Sequence, residues 1–132
     1  MEDRELVRLA ISAREKSYSP YSGFKVGACL EAANGVYLGC NIENAAYSPT
    51  NCAERTAFFK AIFEGERDFR AIAVAGWGSD PGYAYPCGVC RQVMMEFCDP
   101  KTFKVIVAKS EDDYKIHYLE EILPYGFCPK SL

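Results

Sequence analysis

The sequence predicts an α/β fold in which helices cover the faces of one β-sheet. Its 132 residues, 49% of them hydrophobic, have the size and apolar content of a single domain, residues 1–132, built on one core. The elements inferred from hydrophobic periodicity follow the order α-β-β-α-β-α-β-β-α. This order contains β-α-β steps, whose connecting helices pack on a face of the sheet.

The opening segment, residues 2–17, predicts a helix, because apolar side chains recur at spacings of three and four residues. They are Leu6, Leu9, Ala10 and Ala13. The turn-rich residues 19–23, which include Pro20 and Gly23, cannot easily continue a helix. We therefore expect the chain to leave the helix before residue 24.

Residues 24–33 and 36–43 predict two antiparallel strands, because the intervening Asn34-Gly35 is typical of a two-residue hairpin turn. With that turn, the numbers of paired residues sum to 69. Cys29 is then expected opposite Cys40.

The remaining elements follow from composition and from residues that stop helices. Residues 52–65 are rich in helix formers and end at Gly65, residues 69–77 form an apolar run typical of a buried strand, and Pro86 precedes a helical segment. The predicted order is a loop at 44–51, a helix at 52–65, a strand at 69–77, a loop at 76–82, a helix at 87–98, strands at 103–108 and 115–117, and a short helix at 119–123.

The charge and the cysteine content exclude several classes of protein. A net charge of -3, from 15 basic and 18 acidic residues, argues against a nucleic-acid partner. Seven cysteines, an odd number, fit a disulfide scaffold poorly. The charged residues 2–5 lead into no apolar signal segment, and no run of about 18 apolar residues could cross a bilayer. We therefore expect a cytoplasmic protein with no membrane partner, in which clustered cysteines bind metal or react.

Three cysteines lie where predicted helices begin: Cys52, Cys87 and Cys90. Unpaired N–H groups and the helix dipole at such a position favour thiolates. Taken alone, the Cys87-x-x-Cys90 pair is also compatible with a redox dithiol or with half of a structural zinc site. With Cys52, the pair supplies three ligands of a tetrahedral Zn²⁺ site.

A fourth protein ligand is hard to find, because Cys29 and Cys40 fall within strands and His117 is distant along the chain. Three ligands leave an open position on the ion, where the pKa of a bound water molecule is lowered to ~7. Glu54, two residues after Cys52, is close enough to carry the proton. This spacing, followed by Pro-Cys-x-x-Cys, is the signature of zinc nucleobase deaminases.

These motifs resemble the cytidine deaminase family, specifically its small homotetrameric branch with three cysteine ligands. The resemblance covers nearly the whole chain, through YSGFKVGA (21–28), GCNIENA (39–45), TNCAERTA (50–57), PCGVCRQV (86–93) and LPYGF (123–127). It implies a three-layer α-β-α sandwich with a mixed five-stranded sheet. It also implies hydrolytic deamination of cytidine and deoxycytidine to the uridines and ammonia, as in pyrimidine salvage.

The resemblance also implies a role for each site residue. Glu54 moves protons from water to the pyrimidine N3 and then to the departing amine, and Arg55 hydrogen-bonds the ligand sulfurs. The expected substrate contacts are Asn41 and Glu43 on the ribose, Phe24 beside the substrate, the Ala53 N–H on the pyrimidine O2, and Phe127 stacked on the base in a neighbouring subunit.

The chain departs from the family at Tyr85, where a serine is common, so the preferred nucleoside stays open. Other cysteines, Cys29, Cys40 and Cys98, are expected to be buried, with Cys128 exposed. Three alternatives remain. The chain could be a deaminase of another aminopyrimidine nucleoside of the blasticidin type, a non-catalytic zinc-stabilised module, or a nucleic-acid editing deaminase, which the acidic balance disfavours.

Overall fold

The computed structural model of the protein describes residues 1–77 and 82–132. Its elements follow the predicted order: α1 (Asp3–Ala13), β1 (Lys25–Ala32), β2 (Gly35–Cys40), α2 (Ala53–Phe63), β3 (Phe69–Trp77), α3 (Gly88–Phe97), β4 (Lys104–Ser110), β5 (Asp113–Tyr118) and α4 (Leu119–Ile122), with 3-10 turns at Arg14–Lys16 and Pro129–Ser131. The first two residues of the predicted loop 76–82 continue β3, and its residues 78–81 lie outside the described residues.

The five strands form one mixed sheet in the order β2-β1-β3-β4-β5. Strands β3 and β4 are parallel, and the other neighbours are antiparallel. Because β1 runs against both β2 and β3, those two strands point the same way and their carboxyl ends reach the same edge of the sheet. The helices that follow them, α2 and α3, therefore start at that edge.

Helix α1 covers one face of the sheet and α2 and α3 cover the other, which confirms the predicted three-layer α/β architecture. On the α1 face, Leu6, Val7 and Ala10 are fully buried against small side chains of β3 and against Ile106. Gly27 allows close contact, because a Cβ there would lie 2.0 Å from the Ala10 carbonyl oxygen.

The core of the opposite face is centred on Phe58 of α2, whose ring packs against Phe69 and Phe103 at centroid distances of 5.2 and 6.0 Å. The start of α2 is seated directly on β2. A Cβ at Gly39 would lie 2.3 Å from the Ala53 carbonyl oxygen, so only glycine permits this approach. This contact fixes the height of the first turn of α2 above the sheet.

The predicted hairpin register is wrong by two residues. The turn is Ala33-Asn34, and Cys29 pairs with Leu38 while Cys40 pairs with Gly27. Tertiary contacts determine this turn, since the buried Glu66 accepts hydrogen bonds from Asn34 Nδ2 at 3.0 Å and from the Tyr37 hydroxyl at 2.8 Å. These bonds outweigh the local preference of Asn-Gly for the two central turn positions.

Candidate active site

Three cysteine side chains converge at the sheet edge where α2 and α3 begin. Cys52 is the N-cap of α2, Cys87 is the N-cap of α3, and Cys90 lies in the first turn of α3. Their Sγ atoms all lie within 4.8 Å of one another, and those of Cys52 and Cys87 are 3.7 Å apart. The three cysteines that the sequence predicted as ligands therefore share one site.

The geometry and chemistry of this cluster fit zinc. A tetrahedral ion with Zn–S bonds of about 2.3 Å holds its sulfurs about 3.8 Å apart, close to the Cys52–Cys87 separation. Two helix N-termini direct N–H groups and positive dipole ends at the sulfurs, which favours thiolates. Within residues 1–77 and 82–132, no other group of three or more His, Cys, Asp or Glu side chains is arranged to hold a metal ion.

Arg55 supplies a positive charge beside the sulfurs. Its Nη2 donates a hydrogen bond to Cys52 Sγ at 3.3 Å, and its Nε is buried without a protein partner. Hydrogen bonds from the Cys90 thiol and from Arg55 hold the pKa of Cys52 well below its usual range. The shared proton correspondingly raises the pKa of Cys90. The surroundings of Cys52 therefore favour its thiolate form.

Glu54 is buried directly beside the cluster, with 4% of its surface exposed. Burial, followed by the nearby charge of Cys52, raises the pKa of its carboxyl group to about 7. A carboxyl group with a pKa near neutrality can both accept and return a proton at physiological pH. Glu54 therefore has the location and the acidity that a proton carrier requires.

A cavity of about 340 Å³ opens onto Glu54 and onto two of the three cysteines, Cys52 and Cys87. Its reactive end is formed by Cys52, Glu54 and Cys87, and its other end is polar. A larger cavity, of about 660 Å³, lies against the outer face of α2 beside Phe59 and Phe63 and contains none of these groups. The smaller cavity is the candidate site because it is lined by the reactive side chains of Cys52, Glu54 and Cys87.

Asn41 and Glu43 both line the polar end of the cavity, but they lie just beyond the end of β2 and not within the strand predicted at 36–43. Glu43 accepts bonds from the Tyr21 and Ser22 N–H groups, at 3.0 and 3.1 Å, and from the Ser22 hydroxyl at 2.5 Å. The hydroxyl bond, above all, holds the pKa of this carboxyl group below its usual range. Glu43 thus stays charged while it anchors the loop before β1.

Asn41 is more constrained than its sequence position indicates. Its Oδ1 accepts bonds from the Val26 N–H at 2.9 Å and the Ser17 hydroxyl at 2.5 Å, and its Nδ2 donates to the Phe24 carbonyl oxygen at 2.8 Å. The side chain therefore shapes the wall of the cavity and keeps one N–H free of these bonds for a ligand.

The other predicted contacts divide into two groups. Phe24 and Ala53 line the cavity. Phe127 does not line the cavity of its own chain; it is 58% exposed, and its carbonyl oxygen accepts a bond from Gln92 at 2.9 Å. Its side chain is therefore largely exposed on the surface of the chain.

Two features of the site were missed in the sequence. Ser22 lines the cavity and donates a hydrogen bond to Glu43. This serine lies within the segment YSGFKVGA (21–28), but the sequence indicated no role for it. His117, for which the sequence indicated no role in the site, lies with its Nε2 3.0 Å from the hydroxyl of Tyr85, which lines the cavity. A contact across 32 residues leaves no pattern in a single sequence.

Residues 1–107 match the family model described as the cytidine and deoxycytidylate deaminase zinc-binding region. The chain belongs to this deaminase family. Among its relatives, a cytidine deaminase of Sporosarcina psychrophila is 46% identical, over 100% of this chain and 96% of the relative. A second, of Halalkalibacterium halodurans, is 47% identical, over 100% and 98%.

Solved structures support the same family assignment. The crystal structure of cytidine deaminase from Burkholderia pseudomallei superimposes with a TM-score of 0.88 at 46% identity, covering 96% of this chain and 100% of that one. The cytidine deaminase of Mycobacterium tuberculosis gives a TM-score of 0.81 at 30% identity, covering 96% and 98%. The matched family model describes a zinc-binding region. The three-cysteine cluster of this deaminase therefore fits zinc.

The helices of this deaminase within residues 1–77 and 82–132 are all too short or too polar to span a bilayer.

Replacing any one of Cys52, Cys87 and Cys90 by serine is expected to weaken zinc binding by more than about 100-fold, because each removes one of three thiolates. Zinc per chain, measured by atomic emission after dialysis against a mild chelator, checks this. Cys128→Ser is the control and retains zinc. Equal zinc loss from the control, or full retention in all three variants, contradicts the assignment.

Proposed function

We propose that this chain is a zinc-dependent cytidine deaminase that converts cytidine and deoxycytidine to uridine and deoxyuridine with release of ammonia. The observation that carries the proposal is the buried Glu54 carboxyl group, which shares one cavity with Cys52 and Cys87 of the three-cysteine cluster. Relatives of similar length named as cytidine deaminases support the choice of substrate.

In this mechanism Cys52, Cys87 and Cys90 would hold a zinc ion, which as a Lewis acid would lower the pKa of a water molecule in the cavity. Glu54 accepts a proton from that water and delivers it to N3 of the pyrimidine. The water oxygen forms the new bond to C4. Glu54 then takes the proton of the new C4 hydroxyl group and passes it to the amine nitrogen, and the C4–N bond breaks to leave a C4 carbonyl and release ammonia. Because Glu54 is buried, its proton goes to substrate instead of bulk water.

The remaining side chains orient the nucleoside. We assign the ribose to the polar end of the cavity, where Glu43 and the free N–H of Asn41 meet the sugar hydroxyls. We assign the Ala53 N–H, at the start of α2, to the pyrimidine O2, and Phe24, which also lines the cavity, to an apolar wall beside the base. Of the described residues that line this cavity, none is lysine or arginine. The charged Glu43 therefore favours a nucleoside over a nucleotide, whose phosphate it would repel.

Exposed aromatic residues support a homotetramer as the working form. Phe63 is 85% exposed and Tyr125 is fully exposed, in addition to Phe127. Such side chains are typical of interfaces. We propose that Phe127 completes the site of a neighbouring subunit. We also propose that residues 1–132 form one domain and that the enzyme is cytoplasmic, where its seven free cysteines stay reduced.

The proposed reaction predicts loss of cytidine ultraviolet absorbance, abolished by Glu54→Gln. We expect Glu54→Gln to lower kcat by about 10²–10⁴-fold, the usual contribution of general acid–base catalysis, with zinc retained. The matched control is Glu66→Gln, which changes the other buried carboxylate, bonded to Asn34 and Tyr37 away from the cavity. A zinc-loaded wild type that leaves cytidine unchanged would instead indicate a non-catalytic module. A preference for blasticidin over cytidine would assign a different nucleoside.

Arg55→Ala is expected to lower kcat about 10- to 100-fold with a smaller effect on KM, because Arg55 balances charge on the sulfurs and does not touch substrate. Steady-state kinetics with a parallel zinc determination checks this. Arg8→Ala, which removes an exposed arginine on the far face of the sheet, serves as the charge-matched control. Unchanged turnover with zinc retained would refute the role of Arg55.

Sharing of Phe127 between subunits predicts complementation. Glu54→Gln chains and Phe127→Ala chains are each expected to be nearly inactive. Co-expressed in equal amounts, they place an intact Glu54 next to an intact neighbouring Phe127 in about one site in four, the product of two probabilities of one half. Recovery toward a quarter of wild-type kcat is expected in the purified mixed oligomer. A kcat of the mixed oligomer no higher than the sum of the two single variants would refute the shared site.

A further inference from the structure

The segment that leads into Cys87 is fastened to the edge strand β5 by two tyrosines. The Tyr83 hydroxyl donates a bond to Asp113 Oδ1 at 2.6 Å, and the Tyr85 hydroxyl lies 3.0 Å from His117 Nε2. The rings of Tyr85 and His117 also pack together, with their centroids 5.4 Å apart and their planes at 52°. The approach to one metal-binding cysteine is thus held by the side chains of a different strand.

His117 lies on the face of the sheet that carries the site. It pairs with Val105 of β4, and paired residues of antiparallel strands point to the same face. Val105 is buried in the core beneath α2 and α3. The side chain of His117 therefore extends from β5 toward Tyr85. The hydrogen bond between them holds the Tyr85 hydroxyl against this strand.

Tyr85 forms part of the cavity wall next to the reactive end. It lines the cavity together with Phe24 and Ala84 and is 42% exposed. Phe24 and Ala84 close over Gly76, because a Cβ at that glycine would lie 2.8 Å from Phe24 Cζ and 2.7 Å from Ala84 Cβ. The three side chains make one wall, and the hydroxyl of its Tyr85 is occupied by His117.

The orientation of the base decides what this wall can recognise, and here the argument rests on the proposed function. The pyrimidine C4 must face the sulfurs, and N3 must face Glu54, because Glu54 delivers a proton to N3. The other neighbour of C4 in the ring is C5. The C5 edge is therefore the one left to face Phe24, Ala84 and Tyr85.

We propose that Tyr85 is a specificity-determining residue that limits the size of substituents at C5 of the pyrimidine, and that His117 is a positioning residue acting through it. Cytosine, with hydrogen at C5, fits beside the fixed ring. A large group at C5 collides with that ring unless the bond to His117 breaks and the phenol swings away.

The test compares kcat/KM for 5-iodocytidine with kcat/KM for cytidine. Tyr85→Ala is expected to raise this ratio by about 10-fold or more, the usual effect of opening space for a bulky group. Tyr85→Phe and His117→Ala are expected to raise it by about 3-fold each, the effect of losing one hydrogen bond. The double variant Tyr85→Phe/His117→Ala should match the singles, because both remove the same bond. His117→Gln restores a partner for the phenol and should return the ratio toward wild type.

Tyr83→Phe is the matched control, since it cuts the neighbouring tether to Asp113 without touching the wall. It is expected to leave the ratio unchanged. The proposal is overturned if Tyr83→Phe and Tyr85→Phe shift the ratio equally, if the effects of Tyr85→Phe and His117→Ala add, or if Tyr85→Ala changes both nucleosides by the same factor. Each of these results would mean that the pair only stabilises the segment.

A second readout does not depend on turnover. His117 is the only histidine of the chain, so its imidazole signals in an NMR spectrum are assigned without ambiguity. Tyr85→Phe should shift them, and bound uridine should shift them in wild type but not in Tyr85→Ala. Unshifted signals in Tyr85→Phe would overturn the His117 contact. If wild type binds uridine with these shifts but does not deaminate cytidine, the proposed function fails while the contact stands.

Discussion

The site depends on two helix N-termini that meet at one edge of the sheet. Strands β2 and β3 run in the same direction on either side of β1, so α2 and α3 both begin at their carboxyl ends. Cys52 and Cys87 are the caps of these helices, and the topology alone brings them together. The close contact of α2 with Gly39 fixes the height of the first turn of this helix above the sheet, next to Cys52.

This convergence concentrates negative charge in a buried place, and the surrounding structure offsets it. Three thiolates and the carboxylate of Glu54 repel one another, and burial of unpaired charge is costly. Two helix dipoles, the guanidinium group of Arg55 and a divalent cation together provide the compensation. Burial, followed by the nearby charge of Cys52, also raises the pKa of the Glu54 carboxyl group to about 7. The electrostatic cost of the cluster and the chemical use of Glu54 thus have one origin.

Local patterns were sufficient to predict the elements and the cysteine cluster, because helix caps, apolar periodicity and the Cys52–Glu54 spacing are all encoded within a few residues. The hairpin register was wrong because Glu66, far along the chain, holds the turn at Asn34. The structural role of Asn41 was missed because its partners, Ser17, Phe24 and Val26, lie in the segment before β1 and at the start of that strand, which only the fold brings near. Contacts between distant segments leave no periodicity in the sequence, and the Tyr85–His117 pair is the clearest example.

The central claim is that three sulfurs hold zinc and leave its fourth position open for chemistry. X-ray absorption at the zinc edge of the purified enzyme measures this directly, because sulfur and oxygen neighbours scatter differently. The account predicts three sulfur atoms at about 2.3 Å and one oxygen or nitrogen at about 2.0 Å. Four sulfur neighbours, the closed arrangement of a structural site, would contradict it.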